Sequence, residues 1–273
     1  RYAAYFSEEG IYTLSVGSNG SGMLGVPKFE DAIVRWIVLD KQHQAYLTFI
    51  CFDEKNGRFL SVNVTTGAVT AYANSDGIID KCLYMGMTYH SSMKNTAYAI
   101  FEAADGSRKL YRLKCQLASS NSPIKEITDI DPNSMLSKAT SFSVCAFSAP
   151  LMYFLAEGKV YYYSFQDGSE REIQLPGIGA GETINYVANK YWSSYYCYYK
   201  KDHLMVGTTT GNNDYKLYCY KLNAGIPLGD PLYVISGTGK VADVQYMESQ
   251  WGKNDSQEFK YQTYSSYSMG LCY

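Results

Sequence analysis

One spacing constrains this chain more than any other feature: a short motif returns about every 50 residues. Each copy opens on a turn containing Gly, Asn or an acidic residue and runs into an alternating apolar stretch. The copies are Glu9-Gly10-Ile11-Tyr12-Thr13-Leu14, Asn56-Gly57-Arg58-Phe59-Leu60-Ser61-Val62, Asp105-Gly106-Ser107-Arg108-Lys109-Leu110-Tyr111, Glu157-Gly158-Lys159-Val160-Tyr161-Tyr162-Tyr163 and Asn213-Asp214-Tyr215-Lys216-Leu217-Tyr218. Aligning Ile11, Leu60, Leu110, Val160 and Leu217 gives spacings of 49, 50, 50 and 57 residues. Alternation at period 2 is the signature of a strand, and a period of this size with strand chemistry is that of one four-stranded propeller blade. The chain is therefore expected to be all-β: a β-propeller of four-stranded antiparallel blades. Five to seven blades are expected, with residues 1–273 forming a single domain whose terminal blades are partial or shared.

The other strands follow in a fixed order, a to d, around the aligned strand c. The second unit reads Ile33–Leu39, Ala45–Phe52, Phe59–Val64 and Val69–Tyr72. The third reads Cys82–Tyr89, Thr96–Phe101, Lys109–Lys114 and Ile124–Ile127, and the fourth Ser141–Phe147, Met152–Leu155, Val160–Phe165 and Glu172–Leu175. The fifth reads Tyr195–Tyr199, Leu204–Thr208, Leu217–Leu222 and Leu232–Ile235. The N-terminal unit, Arg1 to about Leu24, lacks strand a. The C-terminal stretch offers Val241–Tyr246, Phe259–Tyr264 and Met269–Tyr273, and strands from both ends are expected to complete one blade. Gly, Asn, Asp and Ser cluster between these runs, as hairpin turns require.

Composition agrees with strands and narrows the function. The 28 Tyr, with Thr, Val, Ile and Phe, favour the pleated sheet. A net charge of -2 supplies no basic footprint for nucleic acid. The longest apolar run, Ala32–Leu39, is interrupted by Arg35 and is too short to span a membrane. The seven Cys form no CxxC pair and no zinc spacing, and read as free buried thiols. The chain opens at Arg1 inside a strand-like run, as expected of a segment from a longer precursor.

No catalytic signature emerges: GxSxG, HExxH and the P-loop are absent. His43, His90 and His203 belong to three different units, near the a–b connections. Ser164-Phe165-Gln166-Asp167-Gly168 has neither the spacing nor the Trp of a sialidase Asp-box. Asp53-Glu54-Lys55-Asn56-Gly57 hints at a calcium loop but lacks alternating oxygen ligands and the closing Glu, and reads as a hairpin turn. No cofactor is expected, calcium being the weak exception.

The repeat itself creates two positional patterns. Asp31, Asp80, Ser137, Asn185 and Asp243 align at the start of strand a, where five short polar side chains would ring the mouth of a central channel. Such a ring suits a ligand or cation; the same residue types also bond nearby amides and fix turns. The b–c turns are acidic at Glu8, Glu9, Asp53, Glu54, Asp105, Glu157 and Asp214, on the same face. The loops Ala73–Ile79, Thr128–Leu136, Pro176–Thr183 and Ser236–Lys240 lie there too, and long loops on a rigid scaffold are where binding residues concentrate. Tyr191 and Trp192, expected in the loop into strand a, and Trp251 add aromatic surface able to stack on a sugar or anchor a partner.

The strand openings Gly158-Lys159-Val160-Tyr161 and Gly57-Arg58-Phe59-Leu60, the Tyr/Asn/Ser-rich composition and Gly239-Lys240-Val241-Ala242-Asp243-Val244 resemble the propeller region of Bacteroidetes surface lipoproteins with PKD-like domains. The resemblance covers nearly the whole chain through degenerate motifs. It implies a secreted, lipid-anchored protein of the cell envelope, on the outer-membrane surface or in the periplasm, and carries over no catalytic residue. Neither a PKD-like segment nor a lipobox cysteine is in this sequence. The expected function is a non-enzymatic binding or scaffold module, with a glycan or a cell-envelope protein as partner. The alternatives are a glycoside hydrolase or lyase using Asp31, Asp80 and Asp243 at the channel, and a protein-docking domain.

Overall fold

The computed structural model describes residues 2–7, 10–17, 20–25, 32, 34–40, 48–63, 68–72, 77–88, 90–93, 96–114, 122–145, 148–192, 201–211, 214–238 and 268–269. Five antiparallel sheets follow one another along the chain. The first has three strands, β1 (Tyr2–Ser7), β2 (Gly10–Gly17) and β3 (Gly20–Gly25). The second contains β4 (Val34–Asp40), β5 (Thr48–Asp53), β6 (Arg58–Asn63) and β7 (Val69–Ala71). The third contains β8 (Lys81–Thr88), β9 (Thr96–Glu102), β10 (Arg108–Lys114) and β11 (Ile124–Asp129). The fourth contains β12 (Ser141–Val144), β13 (Leu151–Ala156), β14 (Lys159–Ser164) and β15 (Glu170–Glu172). In the fifth, β16 (Thr183–Trp192), β17 (Lys201–Thr209) and β18 (Asp214–Asn223) are joined by β19 (Ile226–Pro227) and β20 (Tyr233–Thr238), both paired with β18. β21 (Ser268–Met269) pairs with β4. Among the described residues the only helical segments are two short 3-10 turns, Ser91–Met93 and Leu136–Lys138, so no helix there is long and apolar enough to cross a membrane.

Alternation along each strand sends side chains to both faces, and described layers lie between the second and third, third and fourth, and fourth and fifth sheets. Ile50, Phe52 and Phe59 of the second sheet interlock with Met85, Ala97, Phe101 and Tyr111 of the third. Phe101 is the hub of this layer, its ring 4.8 Å from that of Phe52 and 4.5 Å from that of Tyr111. Tyr84, Tyr98 and Ile100 of the third sheet pack on Val144, Met152 and Phe154 of the fourth. Tyr153, Leu155 and Val160 of the fourth pack on Val187, Leu204, Val206 and Tyr218 of the fifth. The run Tyr161-Tyr162-Tyr163 divides as period 2 requires: Tyr161 and Tyr163 join the layer toward the third sheet, and Tyr162 the layer toward the fifth.

Between sheets, contact runs through the first strands: β4 lies on β8, β8 on β12, and β12 on β16. Twisted four-stranded sheets that pack face to face and converge through their first strands are blades around a hub. The chain is a β-propeller with strand a innermost.

Two expectations on the elements need correction. Strand a of the fifth blade is Thr183–Trp192, not Tyr195–Tyr199, which lies outside the described residues. Asn185, Asn189 and Lys190 dilute the strand signal in the sequence, but Tyr186 and Ala188 are buried against Met205, Leu217 and Cys219, and this packing decides. Strand d of the fourth blade is Glu170–Glu172, and beyond it one bond from the Ile173 N–H to the Val160 carbonyl, at 2.8 Å, still ties the chain to β14. β21, at the start of the expected Met269–Tyr273 strand, pairs with β4 of the second blade; Val241–Tyr246 and Phe259–Tyr264 lie outside the described residues. Cys51, Cys82, Cys145 and Cys219 are buried and form no disulfide; Cys115, Cys197 and Cys272 lie outside the described residues.

Candidate functional site: the loop face

Strand a starts on the face where the b–c turns and the d–a loops emerge, and there each described d–a loop is fastened to a neighbour. The Ile78 N–H donates to the Gly57 carbonyl at 2.9 Å. Gly57 has φ +60°, and a Cβ there would fall 2.3 Å from the Ile78 carbonyl oxygen, so the turn and the loop approach only over glycine. The loop before β12 is held from two sides. Arg108 bridges Glu102 and the Ala139 carbonyl at 2.7 Å each, and Glu170 accepts the Met135 N–H at 2.9 Å.

Glu182 closes the third loop. Its side chain is 6% exposed. It accepts Thr208 Oγ1 at 2.5 Å, Lys216 Nζ at 2.7 Å and the Gly179 N–H at 3.2 Å, and the Tyr218 hydroxyl lies 2.9 Å from both carboxylate oxygens. Burial works to raise its pKa, but the bonds from Lys216, Thr208 and Tyr218 prevail and hold the carboxyl at about 2. Tyr220 pins the other end of the same loop through the Pro176 carbonyl at 2.8 Å.

Two of the acidic b–c turns, at Asp53 and Asp105, fasten their own hairpins. Asp53 is fully buried and accepts Asn56 Nδ2 at 2.8 Å, Arg58 Nε at 3.2 Å and the Lys55 N–H at 3.2 Å, which is turn chemistry. Asp105 accepts the Ser107 N–H at 2.9 Å, and Glu157 pairs with Lys138 at 2.8 Å. Asp214 is exposed at the start of β18; Glu8 and Glu9 lie outside the described residues. No group of three or more His, Cys, Asp and Glu side chains able to hold a metal occurs among the described residues. His90 sits on the opposite face beside Ser92, His203 is buried in β17, and His43 is outside the described residues.

The candidate ring resolves unevenly. Asp31, Asp243 and Trp251 lie outside the described residues. Register makes Tyr84, Ser141 and Tyr186 equivalent, opposite Ile100, Leu155 and Gly207. Four residues before each of these stand Asp80, Ser137 and Glu182. Asn185 is therefore not the partner of Asp80 and Ser137. It occupies the bulge between Ile184 and Tyr186, and its Nδ2 donates to Thr209 Oγ1 at 2.9 Å. The position sequence alignment missed is Glu182, which precedes the bulge at Asn185 by three residues just as Asp80 precedes the one at Leu83. Ser137 fixes its own turn, its hydroxyl 2.7 Å from the Ser134 carbonyl oxygen and 2.9 Å from that of Pro132. Asp80 is half-buried, and its charge adds to burial in pushing Tyr111 up. Ile79 beside it is 95% exposed.

Tyr191 and Trp192 do not join this face. Both lie in β16, at the end away from the loops, paired with Asp202 and Lys201. At about 3.3 Å per residue, Trp192 is roughly 23 Å along the strand from Asn185. Expecting strand a at Tyr195–Tyr199 had put the two aromatics in the loop before it; the true strand carries them to the opposite face.

Beneath the loops, hydroxyls tie the innermost strands together. The Tyr84 hydroxyl accepts the Val144 N–H at 2.8 Å, and Ser143 Oγ accepts the Asn189 N–H at 2.7 Å, each across a blade boundary. At the boundary of the fourth and fifth blades, Asp202 accepts the Ser148 N–H at 2.5 Å, and the Cys145 thiol lies 3.5 Å from the same carboxylate oxygen. Burial and then the Asp202 charge push this thiol up to about 11, so it stays protonated and inert at neutral pH.

No family model matches the chain, and no curated protein matches it. Several solved structures are similar to it. One is a nidogen/laminin complex, with a TM-score of 0.49 and 9% identity over 87% of this chain and 78% of that one. Sqt1 of Saccharomyces cerevisiae gives 0.46 and 12%, over 86% of this chain and 57% of that one. The WD40 domain of SCAP from fission yeast gives 0.47 and 11%, over 88% of this chain and 61% of that one.

Proposed function

We propose that the chain is a non-enzymatic binding or scaffold module of a cell-envelope lipoprotein, working through its loop face. The observation that carries the reading is how the acids of that face are used: Asp53, Glu157 and Glu182 hold turns and loops in place. A carboxyl held at about 2 has no proton to give near neutral pH, so Glu182 is unsuited to general-acid work. A platform of fastened loops suits recognition, because little order remains to be lost on binding. The envelope location rests on the family resemblance alone. For the ligand, Tyr191 and Trp192 stand at the end of β16 away from the loops, which separates them from the polar positions of the loop face and favours an envelope protein over a glycan.

The test combines a glycan array, with and without calcium, crosslinking from position 79 in envelope extracts, and a reducing-sugar assay on soluble polysaccharides. Binding without turnover is expected. The ligand should lose at least about tenfold affinity in Asp80→Ala, as for a residue at the centre of a contact. Sugar release that Asp80→Ala abolishes would overturn the reading in favour of a hydrolase.

A further inference from the structure

The carboxylate of Glu182 belongs to a loop, but the side chains that hold it belong to the sheet. Thr208 stands on β17, Lys216 and Tyr218 on β18, and all three donate to it between 2.5 and 2.9 Å. Lys216 lies opposite Thr208 in the register. The third and fourth blades repeat the Lys and the Tyr, as Lys109 with Tyr111 and Lys159 with Tyr161, but opposite the Lys they place Phe101 and Ala156. Of these three blades, the fifth alone sets a hydroxyl beside the Lys, and Thr208 is fully buried. A buried polar group where the equivalent residues are apolar calls for an oxygen to bond. Paired strands thus present two hydroxyls and an ammonium to one carboxylate. Its occupant rides on Pro176-Gly177-Ile178-Gly179-Ala180-Gly181-Glu182, in which the three glycines are exposed. A Cβ on Gly181 would meet nothing within 4 Å. The Lys216 side chain is 40% exposed, so solvent reaches the socket from that side.

We propose that this socket is a carboxylate-binding site which the chain keeps closed with its own Glu182, and that its ligand is an acidic side chain of a partner protein, entering as the loop swings out. The proposal rests on the loop face being a binding surface and names the chemistry that the surface reads. The depth of the seat selects the ligand class. The Glu182 side chain is 6% exposed and reaches the donors on a slender two-methylene stem. A Glu on an extended partner segment offers the same stem, whereas a uronate carries its carboxylate directly on a bulky ring. Because Glu182 is tethered, it competes at an effective concentration in the millimolar range or above, and small probes are needed at about 100 mM.

Two arms test it, both at ionic strength matched with sodium chloride. In the first, Glu182→Ala vacates the socket, and acetate replaces the lost atoms. Acetate should raise the melting temperature of the variant saturably, with at least about tenfold higher affinity than for the parent. Neutral acetamide should not, and Lys216→Met in the same variant should abolish the effect. The second arm uses the parent chain and does not depend on the variant folding. The Gly179 N–H donates to the Glu182 carboxylate, so its hydrogen exchange reports loop opening. A blocked Ala-Glu-Ala peptide should speed that exchange at least about twofold; blocked Ala-Gln-Ala and glucuronate should leave it unchanged. A variant that ignores acetate, equal responses to acetate and acetamide, or a parent loop that the Glu peptide does not open would each overturn the proposal. Opening by glucuronate would overturn the acidic-side-chain assignment. Neither arm contains an envelope partner, so failure here leaves the crosslinking test at position 79 standing.

Discussion

Tyr84 shows how one side chain can join two blades. Its ring lies in the layer between the third and fourth blades, and its hydroxyl accepts the N–H of Val144 at the inner edge of β12. Burial pushes the phenol up to about 12, so it stays neutral and hydrogen-bonded at any ordinary pH. Gly86 makes the reach feasible: a Cβ there would fall 2.2 Å from the Tyr84 hydroxyl oxygen. Tyr84→Phe leaves the buried Val144 amide without its acceptor and should cost about 1–3 kcal/mol in urea unfolding. Gly86→Ala should cost at least as much, because it displaces the ring as well as breaking the bond. A stability change within about 0.5 kcal/mol for both variants would show that this hydroxyl does not join the blades.

At the scale of the element, the blade is a meander whose turns and loops are held by carboxylates, and Glu182 is the case with a pH signature. Its folded pKa, about 2, lies below the ordinary 4.5. The unfolded chain therefore binds the proton more readily between those values. The stabilisation is fully present above about 4.5 and is lost as pH falls through about 2. The drop from 4.5 to about 2 corresponds to roughly 3 kcal/mol. Unfolding free energies between pH 6 and pH 2 should fall along this limb in the parent, and Glu182→Gln should flatten it; an unchanged acid limb would refute the role. The elements were unequally legible in the sequence. Strand c was plain in every unit because a Gly or acidic turn, an alternating run and a fixed spacing coincide there. Strand a of the fifth blade was not, since Asn185, Asn189 and Lys190 mask it locally and only packing against β17 and β18 defines it. The bulges at Leu83 and Asn185 were invisible for the same reason, as nothing local announces one extra residue in a pair.

For the whole molecule, the spacing near 50 residues was enough to predict blades, because a repeat of that size buries its faces only by stacking on copies of itself. The candidate site was legible in part. Asp80 and Ser137 stand just before their first strands, Ser137 within a 3-10 turn, while Asn185 sits at the bulge and Tyr191 and Trp192 lie at the far end of β16. A spacing count carries residues to a position along the chain; which face they reach depends on where the strand begins, and that is set by tertiary contacts. The radial arrangement itself rests on consecutive first strands meeting at a hub, and amide hydrogen exchange at Val144 and Asn189 tests it most directly. Both amides lie on strands a and point away from strand b, so in isolated sheets they would exchange as open edges do. Around a hub they are held by the hydroxyls of Tyr84 and Ser143 from the neighbouring blades. The propeller predicts protection of both amides comparable with the core of β13, and at least about tenfold faster exchange of Val144 alone in Tyr84→Phe. Exchange of both amides at open-edge rates in the parent chain would contradict the propeller.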